Sequence, residues 1–74
     1  METIDRLIYM TNQIARNFGT RSDAEAADAT AKHIVRSWTP RVIEKMLKSD
    51  RTGLTSVGAE AIRQVEATKS APAA

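Results

Sequence analysis

The sequence predicts an all-α fold, a small bundle of about four short helices with a disordered C-terminal tail. Apolar residues recur at helical spacing and nowhere alternate as a strand requires. N-cap residues stand where each apolar stripe begins. The alanine run from Ala24 to Ala31 adds high intrinsic helix propensity. Residues 1–67 read as a single helical domain and residues 68–74 as the tail.

The first helix is expected from about Thr3 to Phe18, with Ile4, Leu7, Ile8, Ile14, Ala15 and Phe18 on one stripe, Thr11 in the same line and Met10 widening it. Tyr9 falls nearly opposite, beside Arg6, Gln13 and Arg16, and Gly19 suits the C-terminal stop. Ser22-Asp23-Ala24-Glu25 has the spacing of a capping box and opens a second helix. Its expected stripe is Ala24, Ala27, Ala31, Ile34, Val35 and Trp38, small at the start and large at the end. A weaker set, Ala26, Ala29, Thr30, His33 and Ser37, makes a side unusually free of charge.

The segment His33 to Arg41 holds the sole tryptophan and histidine and the sole internal proline. A residue before proline is pushed out of the α region, so the second helix should stop at Thr39. Thr39 can cap a third helix with Pro40 at its first position, so that two helices meet at Trp38. Burial of that ring would make Trp38→Ala cost about 3–5 kcal/mol. Val42, Ile43, Met46 and Leu47 form the apolar side of the third helix. Ser49 to Gly53 is a turn by composition. Thr55 can cap a last helix lined by Val57, Ala61, Ile62 and Val65 and ending near Ala67. Gly58 inside it costs about 1 kcal/mol relative to alanine.

Eleven basic against nine acidic residues leave a net charge of +2, with the signs interspersed. Nucleic acid is not demanded by so mild and unconcentrated a charge. No stretch approaches the roughly 18 apolar residues of a membrane span, and the start of the chain lacks the pattern of a signal peptide, so a cytoplasmic protein is expected. The chain has no cysteine, which removes disulfides and thiolate metal sites. At this size the core is thin, and a partner is expected to matter.

No catalytic, cofactor-binding or metal-ligating constellation is present. His33 is alone, the acidic group Asp23, Glu25 and Asp28 is explained by a helix start, and the glycines form no phosphate-cradling loop. Basic residues Lys32, Arg36, Arg41, Lys45, Lys48 and Arg51 flank the corner and suggest a helix-turn-helix-like nucleic-acid module as the alternative. Against it, Glu44 interrupts the recognition helix and the turn lacks glycine. A free-standing homo-oligomer is a third reading. Tyr beside Arg is the composition of an interface hot spot as well as of an ordinary surface.

Met10-Thr11-Asn12-Gln13-Ile14-Ala15 with Phe18, then His33 to Arg41, then Gly53-Leu54-Thr55 together resemble the delta subunit of NAD-dependent formate dehydrogenase, in order and spacing, from about Leu7 to about Ile62. Thr39 stands where that family has aspartate, Ser56 where it has proline and Val42 where it has methionine. The resemblance implies a non-catalytic accessory subunit of a cytoplasmic enzyme that oxidises formate and reduces NAD. It also implies that the molybdenum or tungsten pterin, the iron–sulfur clusters and the flavin reside on other subunits, with none on this chain. The large catalytic subunit is then the expected partner. Tyr9, Asn12, Gln13, Arg16, Arg36, Trp38, Pro40 and Arg41 are the expected contact residues, with Ile34, Val35 and Trp38 turned inward and Arg36 and Arg41 outward.

Overall fold

The computed structural model describes residues 3–70. They form α1 (Ile4–Asn17), α2 (Asp23–Ser37), α3 (Pro40–Lys48) and α4 (Ser56–Ser70), with no strand among the described residues. The all-α expectation holds. Each helix starts on the expected cap: Thr3 Oγ1 accepts from the Arg6 N–H at 3.2 Å, Thr39 Oγ1 from Val42 at 3.3 Å and Thr55 Oγ1 from Gly58 at 3.1 Å. At Ser22 the capping box is complete, with the Glu25 N–H donating to Ser22 Oγ and Glu25 Oε1 accepting from the Ser22 N–H. Pro40 occupies the first turn of α3.

The helices stack two deep. The shortest dimension is 20 Å, twice the roughly 10 Å diameter of a helix with its side chains. Packing is most extensive between α2 and α4, while α3 lies mainly on α1. Grooves between α2 and α4 pair Asp23 and Ala24 with Ser56 and Val57 at one end, and Val35 and Arg36 with Gln64 and Thr68 at the other, so the two helices run side by side in the same direction. The core joins Leu7 and Ile8 of α1, Ala31 and Ile34 of α2, Ile43 and Met46 of α3, and Ala61, Ile62 and Val65 of α4.

Two buried hydroxyls lie in this interior, and both are satisfied within their own helix. Thr11 Oγ1 donates to the Leu7 carbonyl at 2.9 Å and Thr30 Oγ1 to the Ala26 carbonyl at 2.7 Å. Threonine can therefore serve as a core residue here, because the polar atom never meets the apolar side.

That property corrects the expected face of α2. Ala26, Ala27, Thr30, Ala31 and Ile34 are buried, whereas Ala24 is exposed and Val35 is 42% exposed. At 100° per residue the buried face is turned by roughly 60° toward the small, uncharged residues. Small side chains let α4 approach closely, and that close approach outweighs burial of one further valine.

Trp38 is also corrected. It is half-buried, capping the C-terminus of α2 and packing against the core. The corner changes the direction of the chain, but the principal helix contact lies elsewhere. Finally, α4 continues past the expected end at Ala67 to Ser70, so Thr68, Lys69 and Ser70 are helical. Residues 71–74 of the expected tail lie outside the described residues.

Candidate functional site

The expected contact residues do not converge on one patch. On α1, Tyr9, Gln13 and Arg16 follow one another at helical spacing along the outer side, and Tyr9 is 63% exposed. Trp38 borders a groove of about 220 Å³ with Leu7, Met10 and Val42. Arg36 lines a different groove, between α2 and α4, and Arg41 a third, between α1 and α3 beside Ile4, Lys45 and Lys48. Pro40 is exposed between the last two positions. The basic residues that flank the corner in sequence are thus divided over separate faces in space.

Asn12 has a different position from its neighbours on α1. Its Nδ2 donates to the Gly53 carbonyl at 2.9 Å, and its Oδ1 accepts from the Thr55 N–H at 3.0 Å. Both halves of the amide are used inside the chain, fastening α1 to the turn that launches α4. Gly53 has φ +97°, which places its carbonyl for this contact in a conformation that glycine reaches without strain. Gly58 completes the arrangement: a Cβ there would stand 2.9 Å from Asn12 Oδ1 and 3.2 Å from Thr55 Oγ1. The Asn12 segment and the Gly53-Leu54-Thr55 segment, far apart in sequence, are two sides of one clamp.

Arg51 carries a role that the sequence reading missed by counting it only among the basic residues that flank the corner. It adopts φ +64°, and its Nη2 donates to the Leu47 carbonyl and to Glu66 Oε2, each at 3.0 Å. This guanidinium ties the end of α3 to α4, and its side chain is only 23% exposed. Nothing in the local spacing marks it, since Glu66 lies fifteen residues away.

The charges divide unevenly. Asp28 pairs with Lys32, Glu44 with Lys48, Glu60 with Arg63 and Glu66 with Arg51. Hydrogen bonds from Arg63, then from Gln64, hold the Glu60 carboxyl below the usual range, and those from Thr52 do the same for Asp50. Asp5, Asp23 and Glu25 sit in first turns, where the helix dipole favours an anion. Arg6, Arg16, Arg21, Arg36 and Arg41 have no charged partner among the described residues, and of these Arg21 lies over the Phe18 ring. The positive charge left over is therefore carried largely by exposed arginines, side chains suited to carboxylates on another surface.

Among the described residues no three His, Cys, Asp or Glu side chains are grouped as metal ligands would be, and no helix is long and apolar enough to cross a membrane. Iron–sulfur clusters are held by cysteine thiolates, so a chain without cysteine does not fit one.

Comparison with curated proteins and with solved structures brings no match. A family model does match, over residues 6–62, a span that contains the Asn12 clamp, the tryptophan corner, the whole of α2 and α3 and parts of α1 and α4. By that match the chain belongs to the NADH-dependent formate dehydrogenase delta subunit family, FdsD.

Proposed function

We propose that this chain is a non-catalytic accessory subunit of a cytoplasmic, molybdenum- or tungsten-dependent formate dehydrogenase, and that it stabilises or assembles the large catalytic subunit by direct contact. The observation that carries this reading is the amount of binding capacity the folded chain leaves unused. Tyr9 stands out from α1 between arginines, Trp38 is only half-buried, and Arg16, Arg36 and Arg41 lack a charged partner among the described residues. Aromatic and arginine side chains are those that most often anchor protein interfaces. Tyr9, Gln13, Arg16, Arg36, Trp38, Pro40 and Arg41 are its contact residues, while Asn12 contributes by fixing α1 against α4. Formate oxidation, the pterin metal centre, the clusters and the flavin belong to the other subunits.

The test is production of the complex with and without this chain. Co-purification with a tagged catalytic subunit, and faster thermal inactivation of the enzyme that lacks the chain, are the expected results. Equal yield, activity and inactivation rate in both preparations would remove the reading.

A further inference from the structure

Two departures of the structure from the sequence pattern meet in one place. Val35 faces out instead of in, and α4 runs on through Thr68. Between α2 and α4 they frame a groove of about 260 Å³, with Ala31 and Val35 on one side and Gln64 and Thr68 on the other. Arg36 lines the same groove and has no partner among the described residues, whereas Lys32 is held by Asp28 at 3.0 Å.

We propose that this α2/α4 groove seats an acidic segment of a larger subunit of the formate dehydrogenase complex: an apolar side chain covers Val35 and Ala31, and an adjacent carboxylate receives Arg36. The proposal rests on the accessory-subunit reading and adds to it the docking face and the chemistry of what docks. Charge decides the sign of the occupant. Arg36 is a planar fork that forms two parallel bonds with a carboxylate, and no carboxylate among the described residues takes it. A second copy fits poorly, because its own groove offers another Arg36 and only Asp28, already paired with Lys32. Nucleic acid also fits poorly, since a phosphate backbone calls for a track of cations and this groove combines a single unpaired cation, among the described residues, with an apolar wall.

The measurement is titration of the labelled chain into the complex assembled without it, for wild type and for Arg36→Glu, Arg36→Lys, Val35→Ser and Arg6→Glu. Arg36→Glu should weaken binding about tenfold or more and flatten its salt dependence. Arg36→Lys, which keeps the charge and loses the fork, should weaken it about threefold, and Val35→Ser by a similar factor. Arg6→Glu, a charge reversal outside the groove, should stay within about twofold. Thermal unfolding of each variant separates lost binding from lost fold, and the two mild substitutions carry the test if Arg36→Glu unfolds. Wild-type affinity in Arg36→Lys and Val35→Ser, with the wild-type chain binding, overturns the groove and leaves the accessory reading standing. Absence of binding by the wild-type chain overturns both. Self-association in sedimentation that is lost in Val35→Ser overturns the proposal in favour of a second copy.

Discussion

Replacing Gly58 by alanine is the substitution whose outcome the structure and a simple propensity argument place on opposite sides. In an exposed helix interior the change stabilises by about 1 kcal/mol. Here the new Cβ would stand 2.9 Å from Asn12 Oδ1 and 3.2 Å from Thr55 Oγ1. The Asn12 side chain must move, and its bonds to Gly53 and Thr55 weaken with it, at about 1 kcal/mol each. Crowding of the Thr55 cap adds up to about 1 kcal/mol more. The net expectation is a loss of about 1–2 kcal/mol, and for a domain of this size each kcal/mol lowers the melting temperature by about 4–8 °C. Thermal unfolding followed by circular dichroism at the helix band measures it. The decisive comparison is the double-mutant cycle with Asn12→Ala. Asn12→Ala alone destabilises, and on that background Gly58→Ala should become neutral or stabilising, because the atom it would strike is gone. If Gly58→Ala shifts the melting temperature by the same amount and in the same direction in both backgrounds, the clamp is not what requires glycine at this position.

Three further outcomes follow from the same interior and surface. Thr30→Val should change stability by less than about 1 kcal/mol, since the lost hydroxyl bonds only within its own helix, whereas Thr30→Leu should cost about 1–3 kcal/mol by overpacking; denaturant unfolding distinguishes them. Arg51→Ala should cost about 1–2 kcal/mol, more than Lys32→Ala or Lys48→Ala, because its guanidinium is mostly covered and also holds the Leu47 carbonyl. Arg51→Gly should be less damaging than Arg51→Ala in the same assay, as the positive φ suits glycine. In acid, Asp50 and Glu60 have folded-state values below their ordinary ones, so their stabilising contribution is present above the usual carboxylate range, about pH 4, and is lost as pH falls through the lowered values. Melting curves from pH 6 down to pH 2 should show that loss, reduced in Glu60→Gln/Asp50→Asn.

The caps, the corner and the apolar stripes of α1, α3 and α4 were legible in sequence because each rests on interactions within a few residues. Ser22 with Glu25, Thr39 with Pro40, and the spacing of Leu7, Ile8 and Thr11 are local facts, and the structure keeps them. The face of α2 was less legible. An apolar pattern ranks Val35 above Ala26 and Thr30, but the small residues win once α4 packs on them, and a threonine hydroxyl bonded to the preceding turn is invisible to hydropathy. Trp38 is legible in part: its size suggests an inward place and it does pack against the core, while its position as a C-cap leaves it half-buried. The Asn12 clamp and the Arg51 tie depend on partners 15 to 43 residues away, which no local spacing encodes. For the clamp there was one clue, since both of its halves belong to the segments that carry the family resemblance. The candidate contact residues follow from residue type, and their distribution over separate faces is a property of the fold alone.

The parallel course of α2 and α4 has a consequence for how the molecule comes into being. Helices adjacent in sequence can pair as soon as the second is made, but the principal contact of this fold joins the second helix to the fourth. Ala61, Ile62 and Val65 complete a core that α1, α2 and α3 leave open, and the Asn12 amide stays unfastened until Gly53 and Thr55 arrive. A ribosome-bound chain that has released only its first three helices should therefore remain unfolded and sensitive to protease, and become resistant in one step once α4 has emerged. Any partner that recognises the folded surface then meets either a finished domain or none, so that assembly starts from the completed chain.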